Sequence, residues 1–473
     1  MLVVKSAVIS ELFFLSASTI MQVIPDGCEF VAVSSKFLVI ERIFSLITLS
    51  ALGIIVFSIF IFGCSPDDGS YPDNVLTPPE DIPILPNDNQ VIPEDFDSVV
   101  DGNNQFAVDM YNKLKNDGDN VFFSPYSISS ALAMTYEGAN GETAEEMRNV
   151  LHFPEDGVEL RSSFAQLYNL LNKPDKKYKL STANALWAEQ TYSFLPEYLG
   201  LVEQYYGGKT TNLDFKEETE KSRKIINKWV EDKTEDKIKD LIPKGVIRQD
   251  TRLVLTNAIY FFGDWNKKFK KENTEERDFF VSEDEIIDVD MMFMVYGFNY
   301  VKEDGVQILE IPYKGKELSM LVVLPKLGEM DLLEQQLTGE KIAEWNNNFE
   351  GKSVRLSLPK FKFEAKVMLA KTLQQMGMPT AFSPVADFSG MDGTKLLNID
   401  QVIHQAFVAV DEKGTEAAAA TAVVMKETMA MPMDEEPEKP IEFKANHPFI
   451  FLIQEKSTGS ILFMGKVNDP LAE

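Results

Sequence analysis

The chain has 473 residues, of which 44% are hydrophobic and 25% charged, the balance of a globular protein with a real core. Its 46 Lys and Arg stand against 74 Asp and Glu, a formal net charge of −28. That excludes a protein that binds nucleic acid by clustering cations on phosphates, and one that adheres to anionic lipid by charge alone. The two cysteines, Cys28 and Cys64, both precede the globular part. No disulfide framework, CxxC redox pair or cysteine zinc site can form there. The three histidines are His152, His404 and His447, and no HExxH, GxSxG or P-loop pattern occurs. Neither a cofactor nor a metal site is expected.

Residues 43–62 are twenty positions without a charge, preceded by Lys36, Glu41 and Arg42. They are long enough to span a bilayer as a helix. The run ends at Ile61-Phe62-Gly63-Cys64, which resembles a bacterial lipobox. In a lipobox the chain is cut before the Cys and its thiol is acylated. Two readings follow for residues 1–63: a signal ending in lipidation at Cys64, or a membrane anchor that stays. Residues 1–35 are read as lying upstream of the true start. Residues 65–100 hold seven Pro and nine Asp or Glu with no Lys or Arg. Pro stiffens the chain and like charges extend it, so residues 64–97 read as an acidic tether.

From 98 to 473 helical and strand patterns mix without a repeat. Ser127–Glu137 places Ile128, Ala131, Leu132 and Thr135 on one helical face. Thr143 with Glu146 reads as a capping box opening a helix over Ala144–Leu151. Ile225, Ile226, Trp229 and Val230 form an apolar helical stripe within 222–242, stopped by Pro243. Leu253–Phe262 is a nearly continuous apolar run, expected as a strand buried on both faces. Gln307–Ile311 and Leu318–Leu324 flank a turn at 313–316, a hairpin pattern. Val354–Phe363 alternates in part, a strand signal. Phe449–Ile453 and Ile461–Met464 form a second hairpin. Helices first and strands later, with no βα alternation, predict an α+β fold.

Residues 412–433, EKGTEAAAATAVVMKETMAMPM, fit neither part. Alanine favours a short surface helix. Period two competes: Thr415, Ala417, Ala419, Thr421, Val423 and Met425 carry no charge, and the first four are small. Such an alternation suits a segment that becomes a strand, and a segment with two fates is a switch.

The stretch from Asp411 to Thr421 resembles the hinge of a serpin reactive-centre loop. Asn120–Phe153, Leu253–Trp265, Leu358–Lys360, Phe382–Gly390 and Phe443–Phe449 with Phe463–Lys466 resemble serpin segments in the family's order, over about residues 98–473. The resemblance implies a single α+β domain with three β-sheets, about nine helices and an exposed loop. It implies an inhibitor of serine proteases, or cysteine proteases, that is consumed as it acts. The protease acylates itself on the loop, which then inserts into the main sheet and traps the covalent complex. It implies no enzyme activity, a monomer, and no nucleic-acid partner. A relative that binds or scaffolds without inhibiting is the alternative.

By the same resemblance Gly414, Thr415, Glu416, Ala417, Ala418, Ala419, Ala420 and Thr421 are the hinge. Ser124, Ser127, Asn257 and His404 are the polar shutter where the sheet opens, and Trp265 marks the breach above it. Glu412 and Lys360 are a salt bridge at the hinge base. The family's spacing from Glu412 puts the reactive bond at Thr428–Met429, with Lys426 and Glu427 as alternatives. An enzyme reading survives only in the SxxK spacing of Ser357 and Lys360, which lacks SDN and KTG partners.

The anchor makes a prediction. With Cys64→Ser, the chain is expected to lose lipidation and to remain unprocessed or leave the membrane fraction. Processing and partitioning like the parent would favour a retained spanning anchor.

Overall fold

A computed structural model describes residues 97–115, 120–173, 175–415 and 439–472. Among these residues there are ten α-helices and fifteen strands. The first three helices are α1 (Asp97–Leu114), α2 (Pro125–Tyr136) and α3 (Gly141–Leu151). None of the described helices is long and apolar enough to cross a membrane, and residues 43–62 lie outside them.

The strands are β1 (Val121–Phe123), β2 (Tyr178–Glu189), β3 (Lys209–Leu213), β4 (Leu253–Asp264), β5 (Glu275–Phe280), β6 (Ile286–Glu303), β7 (Val306–Pro312) and β8 (Leu318–Leu324). They continue as β9 (Glu350–Pro359), β10 (Phe361–Met368), β11 (Ile399–Val410), β12 (Gly414–Thr415), β13 (Ile441–Lys444), β14 (Phe449–Glu455) and β15 (Ile461–Val467). One hydrogen-bonded set of six runs β10-β11-β12-β4-β2-β3. The other, of nine, runs β1-β15-β14-β8-β7-β6-β9-β13, with β5 on β6. Eighteen-residue β6 joins two groups: β5 and β9 pair along Ile286–Tyr300 and β7 along Asn299–Glu303. Two of the three expected sheets therefore share one strand.

β4 is the centre of the six-stranded sheet. Its continuous Val, Leu, Ile and aromatic run is dictated by burial on both faces: Leu255 and Phe261 enter the inner cores, while Val254 and Ala258 enter an outer one. α2 packs on the inner face against both β4 and β15. Pro125 opens it, where the missing amide donor is no loss. Ser124 caps it by accepting the Ser127 N–H at 3.1 Å. Every residue from Pro125 to Thr135 is buried, so its polar residues must find partners inside.

Three local expectations differ from the structure. The helix at Thr219–Lys233 ends well before 242. Thr234 turns its hydroxyl onto the Val230 carbonyl at 2.8 Å, and Glu235, Asp236 and Asp240 take left-handed backbone. Ile225 of the expected stripe is exposed. The capping box is not one: α3 begins at Gly141, Thr143 accepts the Asp387 N–H at 2.9 Å, and Glu146 accepts the Thr380 N–H at 2.8 Å. Those side chains satisfy the backbone of a distant segment rather than of their own helix. Finally, Val354–Phe363 is two strands. Pro359 ends β9 in one sheet, and Phe361 begins β10 in the other. Both hairpins form as expected, β7 with β8 and β14 with β15.

Candidate functional site

The site is a seam. β4 and β11 pair in parallel from Leu253 opposite Ile399 to Tyr260 opposite Phe407. Beyond that point they part, and β12 lies between them, antiparallel to both. Thr415 faces Val410 on one side and Gly263 on the other. The first two hinge residues thus already occupy the mouth of the sheet.

Below the mouth lies a buried polar cluster. Asn257 on β4 and His404 on β11 are paired across the seam and fully buried. The Ser124 N–H donates to His404 Nε2 at 3.1 Å. That nitrogen is therefore bare, and Nδ1–H donates to Asn257 Oδ1. Asn257 Nδ2 lies 2.6 Å from Ser127 Oγ, 2.8 Å from the Ser127 carbonyl and 2.6 Å from Asn184 Oδ1. Ser124 Oγ donates to the Leu462 carbonyl of β15 at 2.6 Å. One network thus ties the seam to α2, β2 and the second sheet. Burial pushes the His404 pKa down to about 3, so the ring is neutral and can serve as both donor and acceptor. It is a hydrogen-bonding post rather than a base.

Above the mouth, Trp265 and Tyr313 hold the hinge base. Their rings stack at 4.7 Å, with Phe261 edge-on to Tyr313 at 5.0 Å. Trp265 donates through Nε1 to the Asp411 carbonyl at 2.9 Å and through its backbone N–H to the Lys413 carbonyl at 2.8 Å. The Tyr313 hydroxyl meets Thr415 Oγ1 at 2.6 Å. A Cβ on Gly414 would fall 2.0 Å from the Gly263 carbonyl oxygen, so only glycine fits there. Glu412 is buried, accepting from Thr274 Oγ1 at 2.8 Å, with Lys360 Nζ at 3.7 Å. Lys360 lies closer to Asp290, at 3.1 Å. Partial burial works against the Lys360 charge, but the Asp290 hydrogen bond and the nearby carboxylates outweigh it, and its pKa is raised.

The structure therefore brings together Ser124, Ser127, Asn257 and His404, and separately Gly414, Thr415, Trp265, Glu412 and Lys360. Lys360 is engaged by Asp290 and Glu412, not by Ser357, so the SxxK pattern makes no catalytic pair. Glu416, Ala417, Ala418, Ala419, Ala420, Thr421, Lys426, Glu427, Thr428, Met429 and Cys64 lie outside the described residues. Two members of the site were missed from sequence. Asn184 left a signal, a lone Asn on the inward face of β2 between Leu180 and Leu186. Tyr313 read only as part of a turn.

The serpin (serine protease inhibitor) family profile matches residues 101–470. The chain belongs to the serpin family. It is 44% identical over 381 residues to a serpin-like protein of Methanosarcina acetivorans, covering 80% of this chain and 88% of that one. It is 41% identical over 379 residues to the leukocyte elastase inhibitor of Bos taurus, covering 78% and 98%. The structure is similar to that of human thyroxine-binding globulin, solved as a complex, with a TM-score of 0.71, 31% identity and coverage of 80% and 100%. Serpins are generally inhibitors rather than catalysts.

The buried polar cluster has a pH signature. Unfolded, His404 titrates at its ordinary value near 6.5, and folded, it does so at about 3. Above pH 6.5 neither state holds the proton. Below it the unfolded chain binds a proton that the folded chain refuses. Stability is therefore lost as pH falls from 6.5 toward 3, by up to about 1.4 kcal/mol per pH unit from this residue. Urea midpoints from pH 7.5 to 5 should fall less steeply for His404→Gln than for the parent. Equal slopes would contradict the neutral, buried histidine.

Proposed function

We propose that this serpin is an inhibitor of serine proteases, consumed as it acts, that traps the acyl-enzyme by inserting its cut loop between β4 and β11. The observation that supports this most is the placement of Gly414 and Thr415 between β4 and β11, directly above the stretch where those two strands still pair with each other.

The register fixes which residues an extended strand would meet. Each step of two along the loop from Thr415 moves two back along both β4 and β11. Residue 421 then arrives opposite Asn257 and His404 together. Residue 421 is Thr, on the same face as Thr415, because strand faces alternate. The loop would place a hydroxyl between the two groups whose mutual hydrogen bond it has to break. The residues entering that face, Ala417, Ala419, Thr421, Val423 and Met425, carry no charge, so none incurs the several kcal/mol of an unpaired buried charge. The product gains a strand of backbone hydrogen bonds, each worth about 0.5–1.5 kcal/mol net. Strand addition of this kind is a general recognition mode.

The reactive bond in this reading is Thr428–Met429, or one following Lys426 or Glu427. A small polar residue there suits a protease with a narrow or broad pocket, and Lys426 suits a trypsin-like one. The identity with the leukocyte elastase inhibitor supports an inhibitory role. The likeness to thyroxine-binding globulin favours a second reading, a serpin that binds without inhibiting. We further place the domain outside the cytoplasm on a tether of residues 64–97, held through Cys64 or through an anchor at 43–62.

Thr415→Arg and Glu416→Arg separate these readings. Thr415 is buried with its hydroxyl on Tyr313, so an Arg there would carry a charge into the sheet. The Thr415→Arg loop is expected to be cut at the parental bond, with turnover replacing trapping. Glu416→Arg, one residue on and so on the opposite face of an inserted strand, should keep most of the covalent complex. Denaturing gels against one protease measure both yields, and equal yields would count against insertion.

A further inference from the structure

The outer face of the seam is covered. The helix Thr219–Lys233 lays Ile226, Trp229 and Val230 onto β2 and β4, in one buried cluster with Val254, Ala258 and Ile403. Trp229 meets Trp187 of β2 edge-on at 5.3 Å. The chain then returns over the sheet as residues 234–242, burying Ile238, Leu241 and Ile242 in the same cluster. This return is fixed to the helix. The Asn227 side chain accepts from the Ile242 N–H at 2.8 Å and donates to its carbonyl at 3.0 Å, and Arg223 donates to that carbonyl at 2.8 Å. Helix and return segment therefore form one piece, seated on the β2–β4 side.

That piece is fastened on both sides of the seam. On the near side, Lys237 Nζ sits 5.9 Å above the Tyr260 ring of β4. On the far side, Lys366 Nζ of β10 donates to the Asp240 carbonyl at 2.8 Å. The register puts Lys366, Gln405 and Ala258 in one row across β10, β11 and β4. The return segment thus bridges from β4 over β11 to β10.

Admitting a strand moves β11 and β10 away from β4 by one strand spacing, about 4.8 Å. A hydrogen bond does not survive such a stretch. The near-side fastening travels with β4, so the far-side one must part. We propose that Lys366 is a latch on the seam: its hydrogen bond to the Asp240 carbonyl holds residues 234–242 across β4 and β11, and has to break before a strand enters. The latch rests on the insertion reading above and adds the residue that sets its rate. Lys366 is exposed, so it restrains opening without being needed for folding.

A synthetic peptide with the sequence of residues 415–428 serves as the strand. It is added to the full-length protein, and its annealing is followed by native-gel mobility. Lys366→Met keeps the apolar stem and removes the donor, and should anneal about twofold to fivefold faster than the parent. Lys366→Arg should return to the parental rate, and Lys237→Met should stay near it, because its fastening moves with β4. Annealing of Lys366→Met at the parental rate or slower would overturn the latch while leaving insertion intact, as would equal acceleration by Lys237→Met. If the peptide anneals to no variant and not to the parent, the insertion reading itself falls, and the latch with it.

Discussion

The parallel pairing of β4 with β11 is the contact on which the molecule's behaviour depends. A parallel pair in the middle of a sheet is ordinarily permanent, since both strands are buried on both faces. Here the pair is closed along Leu253–Tyr260 and open above it, where Gly414 and Thr415 sit between the strands. In the proposed mechanism the same strands bond to each other in one state and to a newcomer in the other. That requirement explains the cluster beneath the seam. Apolar side chains would hold the seam shut with little discrimination between the two states. Asn257, His404, Ser124, Ser127 and Asn184 form hydrogen bonds that can be exchanged for others of similar worth.

The supports around the seam share a logic. Trp265 and Tyr313 fix where the hinge enters, through two backbone carbonyls and the Thr415 hydroxyl. Glu412, with Thr274 and Lys360, fixes the strand just before it. On the outer face the return segment 234–242 ties β4 to β10. In the proposed mechanism these contacts fix the entrance, and the pairing that has to yield lies deeper in the sheet. The proposed mechanism requires such an arrangement, a bistable element with discrete closed and open states rather than a continuum.

Much of this was legible along the chain because it rests on periodicity. The uninterrupted apolar run of β4 announced a central strand, whereas the period-two alternation beyond Thr415 falls outside the described residues. The shutter residues came from family resemblance, since nothing local marks Ser124 or His404 as neighbours 280 positions apart. What was misread depended on tertiary partners. Thr143 and Glu146 have capping-box spacing, yet a distant backbone claims both side chains. The stripe over 222–242 was half helix and half return segment, because apolar residues on either must face the same sheet. Tyr313 carried no pattern that separates a turn residue from the partner of Thr415.

The central claim is that the seam is built to accept the loop as a strand, and that the native state is held short of it. Thermal unfolding of the intact protein and of the same protein cut once within residues 416–438 measures this directly. The account predicts a higher melting temperature after the cut, because the freed loop completes the sheet that β12 begins. An unchanged or lower melting temperature would contradict it.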